Sequence, residues 1–111
     1  MQINEYQALA MRTAKDMGSF QMDLIHASLG ISGEGGEFAD AVKKHAVYNK
    51  QLDVVNCVEE LGDLLWYVAL AAEKLGVSLE EIMQRNIAKL QVRYPEKYSD
   101  AAAVARADKV A

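Results

Sequence analysis

Glu34-x-x-Glu37, within GEGGEFADAVKKH, and Glu60-x-x-Asp63, within VEELGDLLWYVA, are the residues of this chain best suited to chemistry. On a helix, residues three apart differ by about 300° of rotation, so each pair projects from nearly one face. Apolar residues at helical spacing flank both pairs, which sets these carboxylates beside a packed interior, where unpaired negative charge is very costly. A divalent cation held by oxygen ligands removes that cost. Carboxylates without a paired histidine suit Mg2+, Mn2+ or Ca2+ better than zinc or copper. Neither signature carries the Glu-x-x-His of di-iron carboxylate bundles, which ranks iron storage or oxidation low. One E-x-x-E alone is usually solvated helix surface. Two acidic signatures, each bordering an apolar stripe, on helices joined by a short connection, form a stronger signal, because antiparallel neighbours in a bundle can bring them together.

Basic residues supply the complementary charge. Asn86, Lys89 and Arg93 recur at three- and four-residue steps and share one helical face. Amide, ammonium and guanidinium donors together suit a polyphosphate. Lys43 and Lys44 follow the first acidic pair. Each of these residues taken singly also reads as solvated surface. Arg93, just ahead of Tyr94-Pro95, has a competing role: pairing with an acidic residue to fix the helix end.

The elements that must position these groups are all helical, since no segment sustains a two-residue alternation. Asn4-x-x-Gln7 is a capping pattern for a first helix that runs to about Met17, before Gly18-Ser19. A second helix is expected over much of Asp23–Tyr48. Gly30, Gly33, Gly35 and Gly36 oppose it, each costing about 1 kcal/mol relative to Ala in a helix interior. The stripe Ile31, Phe38, Val42 and the adjacent stripe Glu34, Glu37, Ala41 favour it. Asp53 is the expected N-cap of a third helix that reaches Leu75 and stops at Gly76. Its apolar face is Leu61, Leu64, Leu65 and Val68, beside a polar stripe of Asn56, Glu60, Asp63 and Tyr67. Ser78-x-x-Glu81 is a capping box for a fourth helix that ends before Pro95. Residues 96–111 read as a peripheral tail, either a short helix or frayed.

The chain has 111 residues, expected to form one domain. A net charge of −4 argues against nonspecific attraction to nucleic-acid polymers or anionic membranes. Cys57, the only cysteine, cannot form an internal disulfide, which fits a reducing cytoplasm; it reads as a small core residue. The N-terminus lacks the pattern of a signal peptide, and no stretch approaches a membrane span. The third helix carries apolar residues around most of its circumference, so self-association as a homodimer or homotetramer is expected.

GEGGEFADAVKKH, ELGDLLWYVALA and NIAKLQVRYP resemble the MazG-like, all-α nucleoside triphosphate pyrophosphohydrolases, in motif order and spacing, over roughly residues 20–98. The family pattern is EExxE followed by ExxD. Gly33 stands at the first position here, and Glu34, Glu37, Glu60 and Asp63 match the other four. The resemblance implies a four-helix-bundle-like subunit completed by homo-oligomerisation. It also implies hydrolysis of a nucleoside or deoxynucleoside triphosphate to the monophosphate and pyrophosphate, by water attack at the α-phosphorus. Mg2+ is the implied cofactor, with Mn2+ as a substitute, held by Glu34, Glu37, Glu60 and Asp63. Glu34 and Glu37 are the implied catalytic carboxylates, Glu37 accepting the proton of the water. Tyr67 and Asn86 match family positions that touch phosphate, and Lys44, Lys89 and Arg93 are further expected phosphate contacts. His26 reads either as a substrate contact or as a structural histidine. Trp66 reads as packing ahead of base stacking, and Phe20 and Met22 as packing or base-pocket residues. The biological role implied is nucleotide pool control or house-cleaning. Two rivals stand beside this reading: a non-enzymatic helical interaction module with solvated acidic stripes, and a carboxylate-bundle oxidoreductase.

Overall fold

The caps and apolar spacings read above become helices throughout. A computed structural model describes residues 1–109. It contains α1 (Ile3–Met11), α2 (Phe20–Tyr48), α3 (Val54–Lys74), α4 (Leu79–Arg93), α5 (Asp100–Ala105) and a 3-10 turn at Ala107–Lys109. No strand occurs among the described residues, and none of their helices is long and apolar enough to cross a membrane. The chain falls into two compact units, Met1–Leu79 and the segment from Glu80 onward.

In the first unit, the Ser19 hydroxyl accepts the Met22 N–H at 3.1 Å and caps α2. The helix then runs 29 residues, straight through its glycines, and ends at Asn49 in the left-handed conformation. The Asp53 carboxylate caps α3 by accepting the Asn56 N–H at 3.0 Å. Leu75 and Gly76, whose φ is 75°, end it. A link this short leaves α2 and α3 no arrangement but antiparallel neighbours. Opposite the link, Asp23 accepts the Met17 N–H at 3.0 Å and lies 3.6 Å from Lys74, which joins the start of α2 to the end of α3.

α1 lies on α3 through a small-residue core of Ala10, Ala69, Ala72 and Leu79, with Tyr6, Trp66 and Val68 packed on it. The Trp66 indole N–H is shared between the Ala10 carbonyl at 3.1 Å and the Thr13 hydroxyl at 2.9 Å. Trp66 is therefore a packing residue that also closes the end of α1. Gln7 is buried, its amide N–H donating to Glu73 (3.0 Å) and to the Val77 carbonyl (3.2 Å), and its oxygen accepting the Leu79 N–H (2.7 Å).

Three expectations need correction. α1 begins at Ile3 after Gln2, so Asn4 is inside the helix, and Gln7 serves tertiary contacts rather than a capping box. The same helix stops at Met11, well short of Met17, where Thr13 and Trp66 take over the Ala10 carbonyl. α2 starts at Phe20, three residues ahead of Asp23, because Ser19 caps it. The apolar residues of α3 also divide unexpectedly. Cys57, Ala69, Leu70 and Ala72 are the buried ones, whereas Leu61 and Leu65 are exposed.

In the second unit α4 ends at Arg93, ahead of Pro95 as expected. The Ser99 hydroxyl caps α5 by accepting the Ala102 N–H at 3.1 Å. Arg93 grips Asp108 with two hydrogen bonds, 2.7 Å from Nε and 3.0 Å from its terminal nitrogen. The Asp108 side chain is only 2% exposed, and the guanidinium holds its carboxyl below the ordinary value. The tail is thus a short helix and turn tied back onto α4; residues 110 and 111 lie outside the described residues.

Gln7→Ala removes three hydrogen bonds and leaves buried backbone groups unpaired, so the expected loss of stability is about 2–4 kcal/mol. Urea denaturation of the two proteins measures it.

Candidate metal centre

The antiparallel pairing of α2 and α3 sets two stripes of identical spacing against each other. Gly30, Glu34, Glu37 and Ala41 follow one another on α2, and Asn56, Glu60, Asp63 and Tyr67 on α3. The register is visible at both ends. Gly30 meets the Tyr67 ring at one end, and Ala41 and Asn56 line one cleft at the other. Between them Glu37 comes opposite Glu60.

Glu34, Glu37 and Glu60 each offer a ligand atom, and these atoms all lie within 4.8 Å of one another. Glu34 and Glu60 are half-buried and Glu37 is exposed. The Oε2 atoms of Glu34 and Glu60 are enclosed and have no hydrogen-bond partner. An ionised carboxylate only accepts, so three neighbouring carboxylates cannot satisfy one another. Either a proton or a cation must join them. Hydrogen bonding to Glu34, then to Glu37, with desolvation and their negative charges, raises the Glu60 carboxyl from 4.5 to about 7. An all-oxygen, anionic donor set of this size fits a hard divalent cation such as Mg2+ or Mn2+.

Asp63 stands on the same stripe, one turn beyond Glu60, but its carboxylate is exposed and outside the 4.8 Å grouping. Its charge, after burial, helps raise the Tyr6 phenol above its ordinary value. Tyr67, a turn further on, is half-buried. Its ring meets His26 edge-on at 5.7 Å and Trp66 edge-on at 5.0 Å between centroids. The His26 ring nitrogen Nδ1 is enclosed without a hydrogen-bond partner. Beyond Glu37 and Glu60 opens a cleft of roughly 650 Å³ that includes Asp40, Lys44, Lys50, Gln51 and Asn56. Lys44 lines it and pairs with Asp40 at 3.1 Å.

The remaining residues expected at a substrate belong to the second unit. Asn86 and Lys89 are exposed on α4, and Arg93 is engaged by Asp108, the helix-end role foreseen as its alternative. Lys50 and Gln51 had no signal in the sequence, because the link between α2 and α3 has no periodicity to place them. Gly30 was visible only as one of several unfavourable glycines.

The chain has recognisable relatives among known proteins. The model of the MazG nucleotide pyrophosphohydrolase domain matches residues 24–98. The chain is also 37% identical over 103 residues to the Gene 37 protein of Mycobacterium phage L5, covering 84% of this chain and 89% of that protein. A 70-residue match at 31% identity, covering 55% of this chain and 66% of the other, joins it to the uncharacterized protein YvdC of Bacillus subtilis (strain 168). No solved structure gives a significant match. The chain belongs to the MazG nucleotide pyrophosphohydrolase domain family.

The raised Glu60 carboxyl makes stability depend on pH. Folded protein keeps on Glu60 a proton that unfolded chains release near 4.5, so folding loses stability as pH rises from about 4.5 through about 7. Calorimetric melting of cation-free protein across that range is expected to show the decline. A divalent cation held by Glu34, Glu37 and Glu60 would raise Tm more at pH 8 than at pH 6, since the proton no longer competes.

Proposed function

We propose that the protein hydrolyses nucleoside or deoxynucleoside triphosphates to the monophosphate and pyrophosphate, with Mg2+ as cofactor, in control or cleansing of the nucleotide pool. The observation that carries this is the convergence of Glu34, Glu37 and Glu60, two of them with enclosed, unpartnered oxygens, in a MazG-family chain. A solvated acidic surface, as in an interaction module, would spread its carboxylates instead.

Glu34, Glu37 and Glu60 would hold the cation, with Asp63 on the same stripe as the fourth proposed ligand. A bound divalent cation supplies neutralising charge for the phosphates and lowers the pKa of nearby water. Glu37, the exposed member, accepts the proton of the attacking water. The water oxygen bonds to the α-phosphorus as the bond to the bridging oxygen breaks, and pyrophosphate leaves with that electron pair. Tyr67, Lys44 and His26 take substrate contacts in the first unit. Asn86, Lys89 and Arg93 are proposed phosphate contacts from α4, Arg93 after releasing Asp108.

The exposed apolar residues support homo-oligomerisation as a homodimer or homotetramer. Ile25 and Leu29 of α2 and Val58, Leu61 and Leu65 of α3 are exposed apolar residues at helical spacing, the pattern of helices that pack again on a second copy.

Hydrolysis of a triphosphate in 18O-water is expected to label the monophosphate and leave pyrophosphate unlabelled; orthophosphate as first product refutes the reading. Glu60→Gln is expected to lower kcat/KM well over tenfold, on the scale of several kcal/mol from metal activation, while far-UV circular dichroism is retained. Light scattering is expected to find a dimer or tetramer, and Leu61→Glu to shift it toward monomer with loss of activity.

A further inference from the structure

The acidic trio is held by the same two stripes that end, one turn away, in the pairing of Gly30 with Tyr67. A Cβ built on Gly30 would stand closer than 3.0 Å to the Tyr67 ring atoms Cδ1, Cε1 and Cγ, a separation real Cβ atoms essentially never show. These are the ring's own near atoms rather than the end of a flexible chain. The ring therefore rests on bare backbone. By contrast, a Cβ at Gly33, Gly35 or Gly36 of the same helix meets nothing within 4 Å. Gly30 is also an ordinary helical position without positive φ, so conformational freedom does not explain it. Space for the ring does.

Two further contacts hold the ring in that seat. His26, one turn before Gly30, meets it edge-on at 84°, and Trp66 meets it edge-on at 89°. Trp66 is itself fixed by hydrogen bonds to Ala10 and Thr13. The ring thus has backbone beneath it and aromatic edges beside it, which leaves its hydroxyl few directions.

We propose that Gly30 is a positioning residue: its absent side chain is the seat that fixes the Tyr67 ring relative to the carboxylates of the first unit. The inference rests on the proposed hydrolysis, in which Tyr67 touches phosphate. Gly30 has no part in binding or proton transfer, and it acts only through the ring. Helix propensity opposes a glycine here, so the close approach is the reason for it.

The experiment compares wild type, Gly30→Ala, Gly35→Ala, Tyr67→Ala and the Gly30→Ala/Tyr67→Ala double variant. Pyrophosphate release and near-UV circular dichroism are the readouts, the latter reporting the Trp66–Tyr67 pair. Gly30→Ala is expected to change the near-UV spectrum and lower kcat/KM by about tenfold to a hundredfold, the scale of an ångström-sized misplacement, with far-UV signal retained. Gly35→Ala, which adds the same methyl group without touching the ring, is expected to leave the near-UV spectrum unchanged. Once Tyr67 is Ala, adding Gly30→Ala is expected to cause no further loss of kcat/KM. This comparison stands even where Gly30→Ala alone fails to fold, because the double variant has no ring to clash. An active wild type with a fully active Gly30→Ala, or further loss in the double variant relative to Tyr67→Ala, overturns the seat. A wild type that releases no pyrophosphate brings down the underlying reading and this inference with it.

Discussion

Like charges crowded within 4.8 Å repel, and the packing of α2 against α3 keeps Glu34, Glu37 and Glu60 together in spite of that. Two helices alone would slide or splay until the carboxylates reached water. The register of α2 against α3 is therefore the constraint on which the centre depends, and it is pinned at both ends. At one end the short link between Asn49 and Asp53 closes the pair, with an Asp53 cap starting α3. At the other, the Tyr67 ring sits on Gly30, and Asp23 bridges to Met17 and Lys74.

α1 supports this arrangement from the far side of α3. Its contribution is a small-residue contact reinforced by polar bonds, with Gln7 reaching Glu73, Val77 and Leu79 and the Trp66 indole reaching Ala10 and Thr13. Small residues bury little area each but let helices approach closely, which makes the few directional bonds worth more to register than to total stability. The face left over on α2 and α3 is apolar and exposed. The second unit solves a separate problem, tying its tail to α4 through the Arg93–Asp108 pair, whose desolvated, two-bonded geometry is the kind that holds an end in place.

Much of this was legible from residue order. Asp53 as a cap, Gly76 as a stop, Pro95 as the limit of α4 and Cys57 as a core residue depend on neighbours a few positions away, and each stands where local chemistry puts it. The two acidic signatures, being periodic, show their shared faces by spacing alone. The first helix went astray because Asn4-x-x-Gln7 matches a capping pattern, while the Gln7 amide is used by partners some seventy residues along the chain. The glycine-rich part of α2 was ambiguous for a similar reason, as propensity counts its cost locally and the compensating contact, the Tyr67 ring, lies on another helix.

What the sequence by itself determined is the helical content, the donor types and the family to which the chain belongs, since period, caps and motif spacing are properties of adjacent residues. Tertiary structure alone decided three other matters. It set which carboxylates share a space, gathering Glu34, Glu37 and Glu60 and leaving Asp63 exposed beside them. It committed Arg93 to Asp108, and it gave one glycine of four a steric duty. The physical reason is common to all three. Each depends on the distance between side chains of separate segments, and that distance is set by packing across helices rather than by position along one.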